Sequence, residues 1–140
     1  MASIREMLVA DYAEVRELWG RLEGMRLEAA DSEAGVTRYL TQNPGLSFVA
    51  TEGDRIIGSV LCGQDGRRGY LQHLSVTPEY RNRGVGSALL AAAAEAFARH
   101  ELHEIRIFVL RDNSEGLEFW RKRGWDHRYD IDVFTHKLRP

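Results

Sequence analysis

The chain of 140 residues is 44% apolar and 29% charged, with a formal net charge of -2, a composition that fits one soluble domain with a real hydrophobic core. That balance argues against a general nucleic-acid binder, and the single cysteine, Cys62, excludes an internal disulfide. No Cys/His cluster has structural-zinc spacing, residues 1–10 hold Arg5 and Glu6 where a signal peptide needs an apolar core, and the longest apolar run, ending at Ala94, is far short of a membrane span, so the expectation is a cytoplasmic protein with no metal and no membrane contact.

Ser3 to Leu8 reads as a short first strand. Asp11 is placed to cap a helix from Tyr12 to about Leu22, with Val15, Leu18, Trp19 and Leu22 at helical spacing. Glu23 to Asp31 is less regular, and Ser32 to Thr41 reads as a second helix closed by Asn43-Pro44-Gly45. Leu46 to Thr51, Ile56 to Cys62 and Tyr70 to Val76 are strands joined by the turns Glu52-Gly53-Asp54 and Asp65 to Gly69, most simply an antiparallel meander. An Ala-rich helix then runs from about Val85 to Arg99, with Leu89, Ala93, Ala96 and Phe97 as its buried side. Ile105 to Leu110 is the next strand. Because a helix separates it from the Tyr70–Val76 strand, the two should lie parallel. Asp112-Asn113-Ser114 opens a last helix that Gly124 stops, and Trp125 to Leu138 reads as one or two final strands. Trp19, Trp125, Phe134 and Cys62 read as interior residues. The order describes an α/β or α+β domain with a mixed sheet, and no repeat or linker splits residues 1–140.

The chemistry concentrates in LSVTPEYRNRGVGSALL, Leu74 to Leu90. Pro78 excludes a helix through its own position, Gly84 and Gly86 let backbone approach a ligand closely, and amides at the start of the following helix, flanked by Arg81 and Arg83, suit a phosphate. A tight strand-to-helix connection explains the same glycines. The dinucleotide fingerprint fails for want of its third glycine, and the P-loop fails for want of Gly-Lys-Ser/Thr. Ser75, between Leu74 and Val76, is no nucleophile elbow.

Arg81-Asn82-Arg83-Gly84-Val85-Gly86 resembles the Arg/Gln-x-x-Gly-x-Gly/Ala pyrophosphate loop of the GCN5-related N-acetyltransferase (GNAT) superfamily. The likeness extends to HLSVTPEYRNRGVGSALL, IRIFVLRDN and EGLEFWRKRGW in that order. The DGRRG turn is similar to that of small bacterial YpeA-like acetyltransferases. The resemblance implies a mostly antiparallel mixed sheet of six or seven strands with about four helices, in which the fourth strand bulges and splays from the fifth to form a cleft. It implies acetyl-CoA as acyl donor. The backbone of Leu74, Ser75 and Val76 would pair with pantetheine, and Arg81, Asn82, Arg83, Gly84, Val85, Gly86 and Ser87 would hold the pyrophosphate. Asn113, which can also cap a helix, and Phe119 and Trp120 would complete the cofactor contacts.

Two positions depart from the family pattern. Trp120 stands where a tyrosine often protonates the leaving thiolate, and an indole N–H is no useful acid; Tyr129 or Tyr80 are substitutes. Gln72 stands where several relatives have a glutamate base, whereas the adjacent His73 has a suitable imidazole. Strand alternation puts Gln72 and His73 on opposite faces. The Val76 amide is the natural oxyanion donor. Glu23, Glu28 and Asp31 form an acidic stretch that can receive a cationic acceptor or simply face solvent. Arg67 and Arg68 offer charge to a substrate, the cofactor or another subunit. The resulting expectation is acetyl transfer to a primary amine on a small molecule or peptide, without nucleic acid, by a chain that can form a homodimer. The alternative is a non-catalytic acyl-CoA-binding or regulatory domain.

Overall fold

Five strands form one sheet in the computed structural model, which describes residues 2–139. They are β1 (Ser3–Glu6), β2 (Phe48–Glu52), β3 (Arg55–Gln64), β4 (Gly69–Val76) and β5 (Ile105–Ile107), in spatial order β1-β2-β3-β4-β5. Every pairing is antiparallel except β4 with β5. That exception follows from the helix inserted between them, since a parallel neighbour needs a long crossover. Four helices complete a mixed α+β fold: α1 (Tyr12–Gly20), α2 (Glu33–Gln42), α3 (Val85–Phe97) and α4 (Ser114–Lys122). The chain divides into two compact units, one ending at Phe108 and the other beginning at Val109.

In the first unit β3 is central and buried along nearly its whole length. One cluster joins Met7, Val15, Trp19, Val36, Val49, Ile56 and Leu61, so α1 and α2 contribute to the same core as β2 and β3. α3 reaches the sheet closely because glycines meet it. A Cβ at Gly58 would stand 2.8 Å from the Ser75 carbonyl oxygen and 3.2 Å from Leu89, and one at Gly69 would strike the Phe97 ring. Cys62 is buried, and burial pushes its thiol above the ordinary range, so it behaves as an interior residue and not a nucleophile.

Four sequence expectations change here. Asp11 does not cap α1 through its side chain. Its carboxylate accepts the Leu8 amide at 2.7 Å and clamps the Arg5 guanidinium at 2.8 and 2.9 Å, tying β1 to the turn before the helix. Ser32 stands just outside α2 as its cap, accepting the Gly35 amide at 3.1 Å. The sheet has five strands and not six or seven. Residues 125–139 join no ladder among the described residues, although Tyr129, Ile131 and Val133 alternate as a strand would. Alternation sorts side chains by face, but a strand also needs a neighbour to take its amides and carbonyls. Phe134 is 94% exposed and is not a core residue.

Two outcomes test this packing. The Arg5 guanidinium and, to a smaller extent, the Leu8 amide hold the Asp11 carboxyl below its usual range. Its stabilisation is therefore present above the unfolded value of about 3.9 and lost as pH falls through the lower folded value. Asp11→Asn should lower stability at pH 7 by on the order of 0.5–1 kcal/mol, with the gap closing in acid unfolding curves below about pH 4. Gly58→Ala should cost about 1–3 kcal/mol through overpacking against backbone, read as a lower denaturant midpoint at unchanged slope.

Candidate active site

The β3–β4 ladder pairs Ser59 with Ser75, then Leu61 with Gln72. One residue on β3, Val60, thus faces two on β4, a β-bulge that falls at His73 and Leu74. His73 takes φ +51°, a left-handed conformation that histidine tolerates better than most residues. The bulge breaks the alternation. Gln72 stays opposite Leu61, on the face that packs with Trp19, and His73 turns its ring to that same face, where its centroid lies 4.8 Å from that of Trp19. The expectation that Gln72 and His73 point to opposite sides is therefore wrong, because the extra residue resets the period of two.

His73 Nε2 lies 2.7 Å from Asp31 Oδ1. The second carboxylate oxygen of Asp31 accepts the Glu28 amide at 2.9 Å, and its carbonyl accepts the Tyr12 hydroxyl at 2.6 Å. The Asp31 side chain is 10% exposed and that of His73 is 17% exposed. Trp19 is fully buried and donates its indole N–H to Ser59 Oγ at 3.1 Å, which in turn is 2.8 Å from Ser75 Oγ. Three elements, α1, the turn before α2, and β4, thereby converge on one imidazole. Asp31 has both oxygens engaged, whereas Glu28 is exposed and lies 4.0 Å from Arg26.

The β4–β5 ladder covers only Gly69–Leu71 opposite Ile105–Ile107. From Gln72 to Val76, β4 runs on with no strand partner on that side among the described residues. Leu74 and Val76 are half-buried, while Ser75 turns its hydroxyl into the core. Asn82 takes φ +62° and Gly84 takes φ +82°, folding the loop back so that α3 starts at Val85. The Ala88 amide is bonded to the Gly84 carbonyl, so the amides of Val85, Gly86 and Ser87 precede this bond at the positive end of the helix dipole. A Cβ at Gly84 would meet nothing within 4 Å, so the loop borders open space at that position. Arg81 and Arg83 are exposed. Arg81 reaches back to the Val76 carbonyl at 3.4 Å, and the Arg83 guanidinium lies 5.2 Å from the centre of the Tyr80 ring. Arg68 pairs with Glu104 at 2.6 Å, and Glu104 also takes Arg106 at 2.9 Å; the two guanidiniums hold its carboxyl below the usual range.

In the second unit Asn113 caps α4, its side-chain oxygen accepting the Gly116 amide at 3.0 Å. Trp120 is buried, with Phe119 at 5.0 Å and Trp125 at 4.5 Å between ring centroids. Tyr129 is 79% exposed and stacks on His127 at 4.0 Å.

Residues 4–125 match the Acetyltransferase (GNAT) family. The chain belongs to this family. It is 31% identical over 134 residues to Acetyltransferase plu1384 of Photorhabdus laumondii subsp. laumondii, covering 96% of this chain and 93% of that protein. In fold it is similar to AAC(6')-Iy in complex with the bisubstrate analog CoA-S-monomethyl-acetylneamine, at a TM-score of 0.76 and 18% identity over 99% of each chain. It is also similar to PaiA N-acetyltransferase from Thermoplasma acidophilum in complex with coenzyme A, at a TM-score of 0.73 and 20% identity over 88% of each chain.

Within this GNAT chain the sequence brought out Leu74 to Ser87 and His73 but did not connect His73 to Asp31. The pair spans 42 positions, and no local pattern marks a carboxylate that will meet a particular imidazole across a fold. Trp19 was read as interior, which its full burial bears out, but the hydrogen bonds of Tyr12, Trp19 and Ser59 went unread for the same reason; each looks like ordinary helix or strand filling. The proline after Thr77 and the glycines of the loop were visible because turns leave a local trace. Asn113→Ala should remove the cap of α4 and cost about 1 kcal/mol, measurable as a lower thermal midpoint, while Asn113→Asp should restore most of it.

Proposed function

We propose that the chain moves an acetyl group from acetyl-CoA to a primary amine, which attacks the thioester directly in a ternary complex. The observation that carries this reading is the β4 edge. It loses its strand partner after Leu71, bulges at His73 and leads through a left-handed glycine into the N-terminus of a 13-residue helix. Such an edge offers amides and carbonyls to a pantetheine arm as an added strand would. The helix start offers amides and a positive dipole to a pyrophosphate, with Arg81 and Arg83 supplying charge from solvent. Leu74, Ser75 and Val76 hold the arm through backbone, and Asn82 to Ser87 hold the diphosphate. For Asn113, Phe119 and Trp120 the cofactor role, like that of one acyltransferase domain spanning the chain, rests on the family membership.

The protein's part in the reaction is positioning and charge placement. The Val76 amide is fixed in the strand before charge develops and serves as the oxyanion donor. Gln72 cannot accept a proton at neutral pH, and His73, on the same face, takes the base role. The acceptor approaches from the face that α1 and residues 23–31 cover, where Glu28 gives a cationic amine an exposed carboxylate. Trp120 is a poor acid, so the thiolate leaves toward solvent. Those departures at Gln72 and Trp120 favour one second reading, an acyl-CoA-binding domain without turnover.

Calorimetry with acetyl-CoA and a thiol-release assay over small amines, polyamines, amino acids and peptides separate the two. Binding with release of free thiol on at least one amine is expected; binding without release across the panel selects the second reading, and absence of binding removes both. Gly84→Val should weaken acetyl-CoA at least about tenfold, because a β-branched residue is a genuine outlier at positive φ. Arg81→Ala with Arg83→Ala should weaken it more modestly and flatten its dependence on salt.

A further inference from the structure

We infer that Asp31 is a positioning residue that fixes the tautomer of His73, so that Nδ1 is the atom that removes the acceptor's proton. The inference rests on the acetyltransferase reading for its chemistry and on the side-chain geometry for everything else.

A carboxylate can only accept a hydrogen bond, so the 2.7 Å contact requires a hydrogen on His73 Nε2. Neutral imidazole then has its lone pair on Nδ1. Nε2 keeps its hydrogen in both protonation states, and the proton gained or lost belongs to Nδ1. Among the described residues Nδ1 has no hydrogen-bond partner, and the side chain keeps 17% exposure. The ring is not free to turn over. Trp19 lies against it and is itself held by Ser59, and a half-turn would set a ring C–H against the carboxylate. Asp31 is fixed in turn by the Glu28 amide on Oδ2 and by the Tyr12 hydroxyl on its carbonyl. A buried network with every member satisfied rigidifies what it holds.

The location suits the role. The diphosphate belongs at the start of α3, so the arm must run back along β4 from Val76 toward Leu74. Its acyl end therefore arrives beside the bulge that carries His73. Nδ1 accepts one proton from the substrate ammonium and frees its electron pair. The amine nitrogen bonds to the thioester carbonyl carbon, the C–S bond breaks, and sulfur departs as thiolate. A second amine proton ends on sulfur, the third stays on the amide, and the imidazolium returns its proton to solvent.

Asp31→Asn is a sharp test because the Glu28 amide still requires an acceptor. The amide oxygen of asparagine remains with Glu28, its NH2 turns toward His73, and Nε2 is forced to accept. That moves the ring hydrogen to Nδ1 and blocks the base without changing shape. Nitrogen-15 NMR of the histidine rings, assigned through His73→Gln, should show Nε2–H in the wild-type chain and Nδ1–H in Asp31→Asn. With acetyl-CoA and whichever amine of the panel is turned over fastest, kcat should fall roughly 10²-fold or more in Asp31→Asn and in His73→Gln. The double variant should fall no further, and KM for acetyl-CoA should stay within about twofold. A wild-type ring with its hydrogen on Nδ1 overturns the tautomer assignment even if every variant misfolds. Turnover that survives His73→Gln overturns the base role alone, and a wild-type chain without turnover overturns the acetyltransferase reading together with it.

Discussion

One extra residue in β4 governs the arrangement around it. Between the pairs Ser59–Ser75 and Leu61–Gln72, the fourth strand has to accommodate a residue that its neighbour lacks. It does so at His73, in a left-handed conformation, and the ladder to β5 is already finished at Leu71. The two irregularities act together. The missing partner leaves backbone groups available along Gln72 to Val76, and the bulge turns an imidazole onto the α1 face beside them. A regular strand would give neither, because an intact ladder uses its amides internally and strict alternation sends every second side chain away.

The two faces of this strand are built by different means. Toward α3 the approach is steric: Gly58 and Gly69 have no side chain where Val85, Leu89 and Phe97 press in, so α3 sits close to the sheet. Toward α1 the face is polar inside. Trp19, Ser59 and Ser75 form a buried run of hydrogen bonds, and Asp31 with His73 extends polar contact to the edge of solvent. Buried polar groups are costly unless each finds a partner, so this face tolerates little change. Rigidity there suits the base role proposed for His73, since a base must be held within hydrogen-bond reach of the proton it takes.

Under the proposed acetyl transfer, holding the cofactor and moving protons fall to separate parts of this GNAT chain. The first is assigned to backbone: strand edge, turn and helix start. The second is assigned to side chains drawn from distant segments. Gln72 and Trp120 are poor proton carriers, and in the proposed reaction that task passes to His73, which lies next to Gln72 and shares its face. In that reading an imidazole at His73 stands in for a carboxylate at position 72, turned to the same face by the bulge at His73 and Leu74.

Much was legible before any coordinates. The meander, the parallel relation of β4 and β5, the glycine turn at Gly84 and the Asn113 cap are all local: they follow from period, turn chemistry and the length of a connection. The turn and helix start within Leu74–Ser87 were visible for the same reason, since a left-handed glycine and a helix start leave their mark within a few residues. Residues 125–139 were misread as strand because alternation is local and pairing is not. Asp11 was misread as a helix cap because Arg5 and the Leu8 amide compete for the same carboxylate. What only the tertiary structure decided is where His73 points and what holds it. A one-residue bulge reverses a side chain without altering the pattern of apolar positions, and the carboxylate that meets it comes from a turn 42 residues away.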